Sequence, residues 1–180
     1  MGQQPEETGN SVEGADAVSV AGRRRVPRSV WTNPWHFLAF GFGTGAVRRA
    51  PGTAGTLAAV PLYLLLQDLP LFAYLAVTAG LFAFGVWLCH ITARDLSVHD
   101  HPGVVWDEIV GYLVAMSVAP SGWMWVVSGF FLFRAFDILK PWPVSWADRH
   151  VGGGVGIMLD DLLAGVYAAL AMAAIHGLIG

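Results

Sequence analysis

The chain has 180 residues, of which 55% are hydrophobic and only 13% are charged, and its mean hydropathy is +0.55. This composition excludes an ordinary soluble domain and makes a membrane the expected surroundings of the chain. The net charge is −3, no nucleic-acid partner is expected, and the single cysteine, Cys89, excludes an intrachain disulfide.

The N-terminal segment differs from the rest of the chain. Residues 1–30 are rich in Gly, Ser and Glu and end in an arginine cluster, Arg23, Arg24, Arg25 and Arg28. They predict a disordered, basic cytoplasmic tail rather than a secretory signal, because the first long apolar run begins only near residue 50. Residues 31–180 are expected to form one helical membrane domain.

Four charge-free stretches follow, at 50–67, 69–93, 109–133 and 162–180. Each is near or above the roughly 18 residues that indicate a spanning helix. The third stretch is either one span or a hairpin, since Pro120-Ser121-Gly122 interrupts it with turn-forming residues. A hairpin is preferred because it places every basic residue on one side of the membrane, together with the N-terminus.

The predicted fold is therefore all-α: a multi-pass membrane protein with four to five transmembrane or re-entrant helices in one bundle. With the hairpin, the predicted spans are 53–67, 70–92, 107–119, 122–139 and 160–179. The first and third are short for a hydrocarbon layer of about 30 Å, so they are expected to be tilted, broken or re-entrant.

Two pairs of adjacent acids are predicted to open two of these helices. The pairs are Asp107-Glu108 and Asp160-Asp161. Acids in a first helical turn can simply cap the helix. However, two such pairs at a membrane edge are costly unless a positive group neutralises them, and carboxylate oxygens suit Mg²⁺. All four acids are therefore candidate metal ligands.

A third polar group lies at Arg134, Asp137 and Lys140, spaced three residues apart on one helix. It is either an intrahelical salt bridge between Arg134 and Asp137 or part of a phosphate site. Lys140, the only lysine, precedes Pro141-Trp142-Pro143, which is expected to end the helix. Arg134 and Lys140 could together bind a phosphomonoester, with Asp137 orienting them or acting as general base.

Two glycine-rich stretches, 41–45 and 152–156, could bring backbone amides close to an anion or form flexible interfacial turns. Gly43 and Thr44 are candidate phosphate-binding residues on the first interpretation. Neither stretch is a Walker loop. His99 and His101 could assist acid/base chemistry or belong to a solvated loop.

Four blocks in order carry a family resemblance: GFGTGAVRRAPGTAGTL at 41–57, HDHPGVVWDEIVG at 99–111, FRAFDILKPWPV at 133–144 and GGGVGIMLDDLLAG at 152–165. Together they resemble the phosphatidylglycerophosphatase A family over roughly residues 35–180. Val47-Arg48-Arg49 is more basic than expected for the family. The matching polar residues are Asp107, Glu108, Asp137, Lys140, Asp160 and Asp161.

The resemblance implies a Mg²⁺-dependent enzyme of the inner (cytoplasmic) membrane that hydrolyses phosphatidylglycerophosphate to phosphatidylglycerol and phosphate. We expect the site to face the cytoplasm and to contact anionic membrane lipid. Asp107, Asp137 and Asp161 are the expected catalytic residues. The alternative is a small transporter or channel subunit with charges along a polar path, although the centres of the spans are nearly free of polar residues. The oligomeric state is left open.

Overall fold

The computed structural model describes residues 26–98 and 100–179, and within them the regular structure is entirely helical. The helices are α1 (Pro34–Ala39), α2 (Pro51–Leu66), α3 (Leu71–Asp95), α4 (Trp106–Met116), α5 (Trp123–Leu139), α6 (Val144–His150) and α7 (Gly153–Ile179). Short 3-10 turns lie at Arg28–Trp31 and Thr44–Ala46. The first turn lies across the predicted boundary between tail and domain, and its Val30 is buried. The arginines at 23–25 lie outside the described residues, as does His99.

The all-α prediction is confirmed, and the third apolar stretch is divided as expected. A non-helical connection separates α4 from α5, so residues 109–133 do not form one helix. Among the described residues, two helices, α3 and α7, are long and apolar enough to cross a membrane, whereas α2 is apolar but shorter.

The predicted start of the last helix is wrong. It begins at Gly153, so Asp160 and Asp161 lie two turns inside α7 rather than opening it. The glycines at 152–156 were expected either to bring backbone amides close to an anion or to form a flexible turn, but two of them are needed for packing. A Cβ on Gly154 would lie 2.0 Å from the Val86 carbonyl oxygen of α3, and one on Gly156 would lie 1.9 Å from the Val151 carbonyl oxygen.

Helix α7 lies at the centre of the bundle. It packs against α3, α5 and α6, and most extensively against α4. The crossing with α4 depends on two glycines: a Cβ on Gly165 would lie 2.4 Å from the Gly111 carbonyl oxygen, and one on Gly111 would lie 2.8 Å from the Asp161 carbonyl oxygen. This close approach brings the start of α4 against the third turn of α7, where the acids are.

Three buried or half-buried side chains tie α4 to its neighbours through backbone carbonyls. The Tyr74 hydroxyl donates to Leu113 at 2.7 Å, the Trp106 indole donates to Leu81 at 3.2 Å, and the Tyr112 hydroxyl donates to Val126 at 3.0 Å. Each such bond contributes about 1 kcal/mol. Because they join α4 to α3 and α5, they fix the position of the helix that carries Asp107 and Glu108.

The outer surface of the bundle is strongly apolar. Leu65, Phe72, Phe131 and Leu170 are between 62% and 84% exposed. Large exposed apolar surfaces are rare on soluble monomers but are expected against lipid. With the two long apolar helices, this surface identifies a membrane-associated protein.

Candidate active site

The centre of the site is a group of three carboxylates on two helices. Asp107 and Glu108 lie in the first turn of α4, and Asp161 lies in α7. One oxygen from each of these side chains lies within 4.8 Å of the other two. Two buried oxygens, Asp107 Oδ1 and Glu108 Oε2, have no hydrogen-bond partner among the described residues. These three residues are called the carboxylate trio below.

Arg134 neutralises one side of the trio. Its guanidinium lies 2.5 Å from an Asp137 oxygen and 3.6 Å from an oxygen of Glu108. All three side chains are only 14% or 15% exposed, so water screens these charges weakly. The predicted intrahelical salt bridge is therefore present, but it also extends across helices to the trio.

Lys140 forms a second ion-pair group at the end of α5. Its ammonium donates to Asp148 at 2.5 Å and to Asp160 at 2.8 Å. Burial alone would lower the pKa of Lys140, but the hydrogen bonds to the two carboxylates outweigh it and raise the pKa above the usual lysine value. Lys140 consequently remains charged throughout the neutral pH range.

Asp160 lies beside the trio rather than within it. One oxygen accepts the Lys140 hydrogen bond, while the other, Oδ1, is buried without a hydrogen-bond partner among the described residues. A small cavity of about 60 Å³ is lined by both Asp107 and Asp160, together with Asp100 and Asp148. The predicted set of four metal ligands is thus divided: three carboxylates converge, and the fourth is held by lysine at the edge of the cavity.

Gly52, in the first turn of α2, closes the trio on another side and was not recognised as a site residue from the sequence. A Cβ at this position would lie 2.1 Å from Glu108 Oε1 and 2.8 Å from Nη1 of Arg134. Glycine is required here because the ion pair occupies the space of a side chain. Asp148, which accepts a hydrogen bond from Lys140, was also not recognised. An exposed acid in a short helix shows no distinguishing pattern in the sequence.

The structure does not bring the predicted residues Gly43 and Thr44 to the trio. Gly43 packs on the rings of Trp31 and Phe37, and the Thr44 hydroxyl donates to the Gly41 carbonyl oxygen at 2.8 Å. Their role in binding phosphate stays a prediction.

His101 is buried and has a structural contact in its own loop. Its Nδ1 accepts a hydrogen bond from the Gly103 backbone N–H at 3.0 Å, and its ring packs against Phe40. The neighbouring His99 lies outside the described residues. The contacts of His101 account for its position without a direct part in acid/base chemistry.

The donor set fits a hard divalent cation. It consists of carboxylates alone, and buried carboxylate oxygens without partners are costly unless something positive approaches them. Arg134 and Lys140 form ion pairs with four acids, Glu108, Asp137, Asp148 and Asp160, while Asp107 and Asp161 lie beside Glu108 without an ion pair to either cation. The acids outnumber these two cations, which is the formal charge balance that a divalent cation would offset.

An all-helical, membrane-associated bundle with a carboxylate-rich polar site near its helix ends is suited to hydrolysis of a lipid phosphate. The phosphatidylglycerophosphatase A family model matches residues 37–176, and the chain belongs to this family. The chain is therefore a phosphatase.

Two similar proteins are named phosphatidylglycerophosphatase A. The one from Escherichia coli is 49% identical over 77% of this chain and 81% of its own length. The one from Haemophilus influenzae is 46% identical over 80% of this chain and 90% of its own length. A relative from Bacteroides thetaiotaomicron, 40% identical over 79% of this chain and 94% of its own length, is provisionally named a phosphatidylinositol-3-phosphatase. No solved structure matches the chain.

Proposed function

We propose that the chain hydrolyses the terminal phosphate of phosphatidylglycerophosphate, giving phosphatidylglycerol and inorganic phosphate. The observation that carries the proposal is the convergence of Asp107, Glu108 and Asp161, with buried oxygens left without partners. These acids lie in sequence blocks that match a family whose named members act on this lipid.

The carboxylate trio would hold Mg²⁺, with Asp160 available at the edge of the same cavity. When bound, the ion would neutralise phosphate charge and activate water for attack at phosphorus. The catalytic role of Asp107 and Asp161 would be to hold their own carboxylate oxygens in place as ligands of the ion. Their burial supports this role, since fixed groups in a dry site need no reorganisation during the reaction.

Arg134 and Lys140 would bind the phosphate from two sides. Each already holds carboxylates of the site in place, and each has further N–H groups for the oxygens of a phosphomonoester. Asp137, paired with Arg134, would orient the guanidinium or accept a proton from water. The lipid's acyl chains would remain in the bilayer while only its head group entered the polar cavity.

The same proposal includes a multi-pass arrangement in the inner membrane with the site facing the cytoplasm. The trio lies beside the N-terminal ends of α2 and α4. At the opposite end of the bundle, the C-terminal end of α2 and the N-terminal end of α5 share a cavity lined by Gln67, Asp68, Ser121 and Trp123. A 16-residue helix separates these two ends by about 24 Å. Helices α2, α3, α4, α5 and α7 would form the transmembrane or re-entrant segments.

A transport path is not favoured, because the described ion pairs do not continue through the bundle.

The substrate is tested by measuring phosphate release from three lipids in identical detergent micelles: phosphatidylglycerophosphate, phosphatidic acid and phosphatidylinositol 3-phosphate. We expect the highest kcat/KM on phosphatidylglycerophosphate. Preference for phosphatidylinositol 3-phosphate would assign the chain to the activity named for the Bacteroides relative, and no release from any of the three would contradict the proposal.

A further inference from the structure

A second cavity lies beside the carboxylate trio and is basic rather than acidic. It has a volume of about 430 Å³ and is lined by Val26 and the segments 45–51 and 101–103. Arg48 and Arg49 supply its charge, and both are exposed. Within residues 26–98 and 100–179, neither guanidinium forms a hydrogen bond or an ion pair. The two arginines are thus available to a ligand.

The cavity and the trio are joined by one short stretch of backbone. Arg48, Arg49 and Pro51 line the cavity, and the next residue, Gly52, lies against Glu108 and Arg134. A second connection runs from Gly103, which lines the cavity, to Asp107 four residues later. A single head group with two anionic groups could therefore reach both places at once.

We propose that Arg48 and Arg49 bind the phosphodiester of the substrate head group while its terminal phosphate lies at the carboxylate trio. The inference rests on the proposed function and adds the origin of substrate selectivity. Phosphatidylglycerophosphate carries both a phosphodiester and a phosphomonoester, whereas phosphatidic acid carries only a phosphomonoester. Paired guanidinium groups suit phosphate oxygens because they donate several hydrogen bonds in a fixed plane.

The first test compares two double variants that remove the same charge. Arg48→Gln/Arg49→Gln changes the cavity, while Arg28→Gln/Arg94→Gln changes exposed arginines that do not line it. With phosphatidylglycerophosphate in mixed micelles, we expect the cavity variant to raise KM about tenfold or more, with kcat within about twofold of wild type. The control variant should leave both constants unchanged.

Two results in this assay would overturn the proposal. An unchanged KM in the cavity variant would show that the arginines do not bind the head group. An equal rise in the control variant would show that basic residues act only by general attraction to an anionic lipid surface. Failure of the wild-type protein to release phosphate from the lipid would instead contradict the proposed function.

A second test needs no turnover and separates the head group from the membrane surface. Soluble glycerophosphoglycerol, which contains the phosphodiester without acyl chains, is titrated against the detergent-purified protein and followed by phosphorus NMR. We expect saturable broadening of the phosphorus signal of glycerophosphoglycerol with wild type and with the Arg28/Arg94 variant. We expect no such broadening with the Arg48/Arg49 variant. Equal binding by all three proteins, or no binding to wild type, would overturn the proposal.

Discussion

Lys140 shows how one residue is constrained by its contacts. It ends α5 with a φ of +42°, in the left-handed region where glycine or asparagine is usual. This conformation is unfavourable for a lysine, and its ammonium compensates by bridging Asp148 and Asp160. The sequence could predict that Lys140 matters, because it is the only lysine and precedes a proline. It could not predict Asp148 as a partner, since that contact depends on how α6 folds back.

Replacing Lys140 by methionine should lower kcat/KM about 10- to 100-fold, because Asp160 would lose its hydrogen-bond donor beside the trio. Asp148→Asn should cost less than about threefold, since Asp148 is 42% exposed and the pair between Lys140 and Asp160 remains. Phosphate release from the lipid measures both variants. Equal losses of kcat/KM in the two variants would show that the pair between Lys140 and Asp160 is not sufficient without Asp148.

Gly52→Ala should also lower kcat/KM about 10- to 100-fold, because the new methyl group would displace Glu108 and Arg134. Gly80→Ala is the matched control, since a Cβ at that position in α3 meets no atom within 4 Å. The same phosphate-release assay compares them, with circular dichroism to show that both proteins remain helical. If Gly52→Ala kept full activity, the placement of Glu108 against α2 would be wrong.

At the scale of elements, hydrophobicity and turn residues predicted four of the helices closely. The predicted spans at 70–92 and 122–139 correspond to α3 and α5, with bounds that differ by three residues or fewer. The start of α7 was wrong by seven residues because a glycine run is typical both of a flexible loop and of tight helix packing. Only the position of the Val86 carbonyl in α3, which the sequence does not give, distinguishes these two cases.

Gly165→Ala tests the crossing of α4 and α7. The added methyl group would lie 2.4 Å from the Gly111 carbonyl oxygen, so the helices must separate, at a cost of about 1–3 kcal/mol. We expect a lower Tm for the detergent-purified protein. Gly177→Ala in the same helix meets no atom within 4 Å and should leave Tm unchanged or slightly higher. Equal Tm values for the two variants would contradict the close crossing.

At the scale of the whole molecule, the fold gathers charge at one end and leaves the middle of the bundle apolar. The Pro120-Ser121-Gly122 interruption was decisive for this prediction: one continuous helix over 109–133 would have placed Asp107 and Arg134 at opposite ends. In the structure Arg134 lies 3.6 Å from Glu108. The basic cavity beside the trio could not be predicted, because it forms from loops that are distant in sequence.

The proposed orientation predicts which residues face the cytoplasm. In a Cys89→Ala background, Ser121→Cys should react with a membrane-impermeant maleimide in intact spheroplasts, whereas Ser97→Cys should react only after lysis. Both serines are exposed, and the buried Cys89 is removed to prevent background labelling. Labelling of both cysteines from the same side would show that α4, the helix between them, does not cross the membrane, and would contradict the proposed arrangement.

Metal binding by the carboxylate trio is tested by the dependence of phosphate release on Mg²⁺ concentration. It compares wild type, Asp107→Asn and Asp161→Asn, with Asp68→Asn at the far end of the bundle as the control. We expect EDTA to abolish release by wild type and the control, and each site variant to lose about 100-fold or more in kcat or to require much more Mg²⁺. Release that persists in EDTA, or an unchanged Mg²⁺ dependence in the site variants, would contradict metal binding by the carboxylate trio.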